Sequence, residues 1–172
     1  MLFRSQSKNS APTQATSSIS STEWYPVAKV VDGDTIDVNV NGSKVRVRLI
    51  GLDTPEVVDP RKPVQCFGKE ASAELRKVLN GQSVRLETDS SQSTYDKYGR
   101  LLAYVYAPAN VTPEGILVNK YMISEGYGHE YTYDVPYKYQ TDFKAAQTEA
   151  RNTQKGLWAP DKCSGDTTRA AP

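Results

Sequence analysis

The stretch Thr35–Leu49, which reads TIDVNVNGSKVRVRL, is the clearest indication of secondary structure in this chain. Apolar and polar residues alternate on both sides of Asn41-Gly42, and this dipeptide is the strongest two-residue signal for a β-hairpin. Because side chains of a strand point alternately to opposite faces, the isoleucine and valines form one apolar face. The sequence therefore predicts two antiparallel strands joined by a two-residue turn.

The register of this hairpin places Arg48 opposite Thr35, next to the corner formed by Asp32-Gly33-Asp34. Strict alternation would send Asp34 to the face opposite Arg48. We therefore expect a bulge or a sharp twist at Gly33, which would bring the aspartate and the arginine to one side of the sheet.

Further elements follow the hairpin along the chain. Hydrophobic periodicity and stop signals predict helices over residues 69–79, 115–124 and 135–151, and strands over 84–88 and 101–106. Several short strands followed by helices are typical of an α+β domain with a small closed or nearly closed sheet.

Composition limits the domain organisation. The chain has 172 residues, of which 38% are hydrophobic, and this fits one domain with one core. Residues 1–22 are rich in Ser, Thr, Gln and Asn and are predicted to be a disordered tail. The domain is expected over residues 23–160, followed by a flexible C-terminal tail over 161–172.

Charge and hydropathy exclude several classes of protein. The formal net charge is +1, so affinity for a polyanion must come from a local patch or a bound cation. No apolar run approaches the roughly 18 residues of a membrane span. Met1-Leu2-Phe3 is too short for the apolar part of a signal peptide, so the chain is either cytosolic or has lost an export signal upstream.

The cysteines and the histidine exclude other kinds of site. Cys66 and Cys163 are far apart and have no Cys-x-x-Cys partner, which argues against a zinc site or a redox motif. A disulfide closing a long loop and two reduced thiols remain equally open. His129 is the only histidine, so neither a Ser/His/Asp triad nor a multi-histidine zinc site is expected.

Three short polar segments carry the chemistry: Asp32-Gly33-Asp34-Thr35, Arg48 followed by Asp53-Thr54-Pro55-Glu56, and Tyr98-Gly99-Arg100. Together they supply oxygen ligands for a divalent cation, a carboxylate that can activate water, and two guanidinium groups for a phosphate. Each segment alone is a common turn. An EF-hand is excluded because Ile36 and Ser43 stand where that loop needs its third and last ligands. The ordered set indicates metal-assisted cleavage of a phosphodiester.

From about Val27 to Trp158 the chain resembles the staphylococcal nuclease (thermonuclease) family, because VVDGDT, RLIGLDTPE, FGKEAS, YDKYGRLLAYVY and GLW occur in that family's order. The resemblance implies a five-stranded OB-fold β-barrel with three α-helices. It also implies a monomeric, calcium-dependent endonuclease that acts on DNA and RNA, with single strands preferred, and leaves 3′-phosphates. An indiscriminate nuclease is hazardous in the cytosol, so the family favours a secreted or cell-envelope protein.

The resemblance also implies roles for individual residues. Asp34 and Asp53 would be carboxylate ligands of calcium, Thr54 its carbonyl ligand, and Asp32 a support behind them. Arg48 and Arg100 would grip the scissile phosphate, and Glu56 would be the proposed general base. Lys97 and Tyr98 would contact the nucleotide, and either Tyr131 or Tyr133 would clamp it.

Two functions of different class are left by this reasoning. The first is the active calcium nuclease. The alternative is a catalytically inactive OB-fold module that binds nucleic acid or protein. Degenerate modules are expected to lose an arginine or the glutamate, and Arg48, Glu56 and Arg100 are all present. Cys66 stands in a loop where the family usually has no cysteine, which hints at the disulfide.

Overall fold

The computed structural model of the protein describes residues 18–110 and 112–171. The predicted disordered tail over residues 1–22 lies mostly outside these residues. Its last part makes contacts: Ile19 packs against the core, and the backbone N–H of Ser20 donates to the Tyr25 hydroxyl at 2.8 Å. The packed region therefore begins before residue 23, where the sequence predicted that the domain starts.

Five strands form a closed barrel, as the family resemblance implied: β1 Trp24–Asp32, β2 Thr35–Val40, β3 Ser43–Leu49, β5 Ser83–Glu87 and β6 Leu101–Ala107. Neighbouring strands follow the order β3-β2-β1-β5-β6, and a parallel pairing of β3 with β6 closes the barrel. Three short strands complete the sheets: β4 Leu52–Asp53, β7 Ile116–Leu117 and β8 His129–Glu130.

The central hairpin has the predicted register. Ile36 pairs with Val47, and Arg48 pairs with Thr35. Asp32 pairs with Thr35 across the β1–β2 turn, and the register shifts between Val30 and Asp32. The irregularity expected at Gly33 is thus a two-residue turn at Gly33-Asp34 preceded by a bulge, and it turns Asp34 toward the side of Arg48.

Three helices pack against the barrel: α1 Gly68–Leu79, α2 Val118–Ser124 and α3 Gln140–Asn152. The prediction for α1 is accurate to one residue. Helix α2 begins three residues later than predicted, because residues 116–117 first pair with β6 as a strand. Helix α3 begins at residue 140 rather than 135, because the preceding segment forms a loop that buries Tyr137 against the core.

The core lies inside the barrel and beneath the helices, and it contains one buried polar residue that joins strands to a helix. Asn119 of α2 is fully buried. Its amide donates to the Ile50 and Ala103 carbonyls at 2.8 and 3.3 Å, and its oxygen accepts the Val105 N–H at 2.9 Å. These bonds satisfy backbone groups at the place where the chain leaves β3 beside β6.

The C-terminal residues differ from the flexible tail expected over 161–172. Cys163 is buried and is joined to Cys66 by a disulfide, with 6.0 Å between their Cα atoms. Residues 169–171 run antiparallel to residues 64–66. Within the described residues, no helix is both long enough and apolar enough to cross a membrane.

Candidate active site

The β1–β2 turn fixes the first carboxylate. Asp34 is buried, and one of its oxygens accepts the hydroxyl of Thr35 at 2.8 Å. The other oxygen accepts both the backbone N–H and the hydroxyl of Thr54 at 3.1 Å. Gly33 is required here, because a Cβ at this position would lie 2.7 Å from the Thr54 Oγ1. The turn and the segment after β4 are therefore packed directly together.

Arg48 lies at the centre of the site. Its Nη1 donates to the carbonyls of Leu49 and Leu52. Its Nη2 lies 3.2 Å from an Asp34 carboxylate oxygen and 3.3 Å from one of Asp53. One nitrogen atom thus contacts both predicted ligand carboxylates, and the backbone carbonyls fix the plane of the guanidinium group.

Short strand β4 carries Asp53, and β8 pairs with it through Asp53 and His129. About half of the Asp53 side chain is exposed, so its carboxylate faces the solvent side of the site. Partial desolvation raises the pKa of Asp53, opposed by the positive charge of Arg48, while the charge of Asp34 raises it further. The two predicted ligands therefore differ: Asp34 is enclosed and Asp53 is open.

Asp32 lies behind this pair. Burial is the main cause that raises the pKa of Asp32 to about 7, and the N–H of Gly33 opposes it with a hydrogen bond at 2.8 Å. The nearby carboxylates of Asp34 and Glu56 raise it further, and Glu56 lies within hydrogen-bonding reach. Asp32 therefore belongs to the same cluster of acids as the candidate ligands and the candidate base.

Glu56 begins the loop after β4. Its Oε1 accepts the backbone N–H groups of the next three residues, Val57, Val58 and Asp59, at 3.0, 2.7 and 3.1 Å. Its backbone is bound to Gln65: the Glu56 N–H donates to the Gln65 Oε1 at 2.7 Å, and the Gln65 N–H donates to the Glu56 carbonyl at 3.0 Å. The carboxylate has a fixed orientation, with Oε2 not used by these bonds.

This arrangement fits a divalent cation. Two carboxylates, Asp34 and Asp53, contact the same Arg48 nitrogen, and the carboxylates of Asp32 and Glu56 lie close enough to this pair to affect its electrostatics. Hard cations prefer such oxygen atoms, and the surplus of negative charge favours a bound positive ion. Across residues 18–110 and 112–171, no group of three or more Asp, Glu, His or Cys side chains forms a metal cage. An ion here would thus complete its shell with a backbone carbonyl, water and substrate oxygens.

The loop before β6 carries the third motif. Arg100 donates from Nε to Asp96 at 2.6 Å, and its guanidinium carbon lies 5.2 Å from the centre of the Tyr98 ring. Arg100 directly precedes β6, whose Leu102 pairs with Arg48 in the parallel β3–β6 ladder. Arg100 itself is in contact with Asp96 rather than with the acidic cluster.

The predicted nucleotide contacts are exposed. The Lys97 Nζ lies 5.1 Å from the centre of the Tyr98 ring, and Tyr98 is 71% exposed. Tyr131 and Tyr133 are 45% and 76% exposed, with 6.4 Å between their ring centres. Tyr131 follows β8, and its N–H donates to the Gly51 carbonyl at 3.0 Å. Both tyrosines thus offer ring surface to a ligand.

Sequence reasoning missed two residues of the site. Gln65 holds the backbone of Glu56, and Asp96 orients Arg100. Asp96 could have been found from its place in the loop, because an Asp side chain commonly accepts the backbone N–H two residues on in a turn, as Asp96 does from Tyr98 at 2.9 Å. No sequence signal identifies Gln65, because its contact depends on a loop closing on itself.

Comparisons with known proteins agree with this geometry. Residues 46–160 match the family model described as staphylococcal nuclease homologue. Thermonuclease of Staphylococcus hyicus is 40% identical over 137 residues, which cover 80% of this chain and 76% of that protein. Thermonuclease of Staphylococcus intermedius is 43% identical over 136 residues, 79% of this chain and 76% of that protein. Endonuclease YncB of Bacillus subtilis is 36% identical over 132 residues, 76% of this chain and 59% of that protein. The chain belongs to the staphylococcal nuclease family.

Proposed function

We propose that this protein is a calcium-dependent endonuclease that hydrolyses phosphodiester bonds of DNA and RNA and leaves 3′-phosphates. The observation that carries the proposal is the contact of a single Arg48 nitrogen with Asp34 and Asp53. It brings two candidate metal ligands and a candidate phosphate-binding group to one point. The thermonuclease and endonuclease relatives support the same activity.

Asp34, Asp53 and the carbonyl of Thr54 would hold the ion. Bound there, calcium would supply positive charge for the scissile phosphate and for an attacking water. Asp32 lies in the same cluster of acids and would support these ligands without binding the ion itself. Asp34 is already oriented by three hydrogen bonds, so little reordering is needed on binding.

The two arginines would bind the phosphate. Negative charge grows on its equatorial oxygens during the reaction, and fixed guanidinium groups stabilise it through bidentate hydrogen bonds. The Leu49 and Leu52 carbonyls hold Nη1 of Arg48, and its Nη2 would turn to the phosphate when the ion takes over the carboxylates of Asp34 and Asp53. Asp96 takes only the Nε of Arg100, so both Nη groups of Arg100 can meet a phosphate.

Glu56 would accept the proton of the attacking water. Its Oε1 is held by three backbone N–H groups, and Oε2, which these three bonds do not use, would meet the water molecule. General base catalysis contributes about 10²- to 10⁴-fold. The attack breaks the bond from phosphorus to the 5′ oxygen, so the proton returns to a 5′-hydroxyl and the phosphate stays on the 3′ side.

The exposed aromatic rings favour single strands, because unpaired bases can stack on them and paired bases cannot. Lys97 and Tyr98 would contact a neighbouring phosphate or base, and Tyr131 or Tyr133 would clamp the nucleotide. Stacking on an aromatic side chain contributes about 1 to 3 kcal/mol for each base. We propose that the enzyme acts as a monomer outside the cytosol, and the disulfide supports an oxidising compartment.

A calcium titration of DNA and RNA digestion tests the proposal. We expect cleavage of single-stranded substrates that rises with calcium and stops in excess EGTA. The products should accept 5′ labelling by a kinase directly and should need phosphatase treatment before 3′ extension. Digestion that continues in excess chelator, or products with 3′-hydroxyl ends, would contradict the proposal. Binding without cleavage would favour the inactive module instead.

A further inference from the structure

Residues 163–171, here called the C-terminal strap, lie along the loop that carries Glu56. Gln65 and Ala170 form an antiparallel bridge. The Cys66 N–H donates to the Arg169 carbonyl at 2.8 Å, and the Ala171 N–H donates to the Val64 carbonyl at 2.9 Å. The strap is therefore a short extra strand on the end of this loop.

A disulfide and a hydrogen bond attach the strap to the rest of the domain. The Cys66–Cys163 disulfide lies in a small apolar cluster with Leu157, against which Phe67 and Trp158 pack. The His129 Nε2–H donates to the Gly165 carbonyl at 3.1 Å. Since His129 pairs with Asp53, the strap touches both the Glu56 loop and the strand opposite a candidate metal ligand.

The loop over residues 57–64 makes little packing contact with the rest of the domain. None of residues 57–64 is buried, so the loop has almost no apolar packing of its own. Its far end is Gln65, and Gln65 binds both backbone polar groups of Glu56. A chain of direct contacts thus runs from the disulfide through the strap and Gln65 to Glu56.

We propose that the C-terminal strap is a positioning element for Glu56 and that the Cys66–Cys163 disulfide keeps it in place. Gln65 is the positioning residue through which it acts. The inference rests on the proposed role of Glu56 as the general base. Release of the strap lets the loop move, and a displacement of about 1 Å in a reacting group can cost about 10²-fold in rate.

The first test opens the bridge by mutation. C66S/C163S should lower kcat on single-stranded DNA by at least about tenfold with KM changed less than about twofold, because the strap touches no predicted nucleotide contact. A dithiol should do the same to the wild type by giving two electrons and two protons to the sulfurs and becoming a cyclic disulfide. Val84→Ala, in the remote barrel core, is the control for lost stability and should keep wild-type kcat below its melting temperature.

The second test leaves the disulfide intact. Gln65→Met removes the acceptor for the Glu56 N–H and should also lower kcat about tenfold or more. Gln65→Glu keeps an acceptor oxygen and should remain within about threefold of the wild type. If Gln65→Met is as active as the wild type, Gln65 does not position Glu56 and the inference is wrong.

The third test separates this inference from the proposed function. In a Glu56→Gln background, opening the disulfide should cost less than about twofold, because the group that the strap positions no longer acts. If Glu56→Gln alone retains wild-type kcat, the proposed base is wrong. In that case hydrogen exchange of the Val57, Val58 and Asp59 amides tests whether the strap holds the loop. Faster exchange in C66S/C163S supports the inference, and unchanged exchange overturns it.

Discussion

Replacing Arg48 by Gln should lower kcat and raise the affinity for calcium. Its Nη2 lies 3.2 and 3.3 Å from the two candidate ligands, Asp34 and Asp53. Loss of a donor that stabilises the transition state costs about 3 to 4 kcal/mol, so kcat should fall about 10²- to 10³-fold. The same loss removes a positive charge that competes with calcium.

The size of the gain in calcium affinity can be worked from the Coulomb interaction between the arginine and the ion. Two unit charges about 4 Å apart interact by about 1 kcal/mol in water, and calcium carries two charges. Arg48→Gln should therefore tighten calcium binding by about 1 to 2 kcal/mol, roughly five- to thirtyfold. Arg48→Lys is the matched control, because it keeps the charge and loses the bidentate geometry: kcat should fall while calcium affinity stays near the wild-type value.

Calorimetric calcium titration and single-turnover cleavage of single-stranded DNA measure the two effects. A loss of kcat below tenfold in Arg48→Gln would place phosphate binding elsewhere. Weaker calcium binding in Arg48→Gln would show that the arginine supports the metal site rather than competing with the ion, and the geometry assigned to the site would be wrong.

Three further predictions concern the framework of the site. Asn119→Ala should lower the free energy of unfolding by at least about 3 kcal/mol in denaturant titrations, because it leaves buried backbone groups unpaired; a loss under 1 kcal/mol would contradict this. Gly33→Ala should lower kcat about tenfold, because the new Cβ displaces Thr54 from Asp34; unchanged kcat would refute the packing argument. Burial would raise the pKa of Asp89, but hydrogen bonds, including one from Tyr104, hold it at about 2. Its contribution of about 2 kcal/mol should be present above pH 4 and disappear as the pH falls through 2, and Asp89→Asn should flatten that slope in acid denaturation.

Local features of the site could be predicted from the sequence. The hairpin register placed Arg48 opposite Thr35 because alternation and the Asn-Gly turn act over neighbouring residues. A bulge or sharp twist at Gly33 was expected because alternation alone would have separated Asp34 from Arg48, and the structure has a two-residue turn at Gly33-Asp34 preceded by a bulge. Both predictions depend on residues close together in the chain.

Contacts between distant residues could not be predicted in this way. The start of α2 was wrong because residues 116–117 pair with β6, and no local signal shows a partner strand. The hold of Gln65 on Glu56 and the packing of the strap depend on a disulfide whose partners are 97 residues apart. The sequence left both the disulfide and two reduced thiols open, and residues 161–172 were expected to form a flexible tail.

Calcium binding to Asp53→Asn, followed by calorimetry beside the wild type, tests whether Asp34 and Asp53 together hold the metal ion. The wild type should bind one calcium ion at this site, and Asp53→Asn should bind it much more weakly and lose cleavage of single-stranded DNA in parallel. If Asp53→Asn binds calcium as the wild type does, or still cleaves DNA at the wild-type rate, Asp34 and Asp53 do not form the metal site of this enzyme.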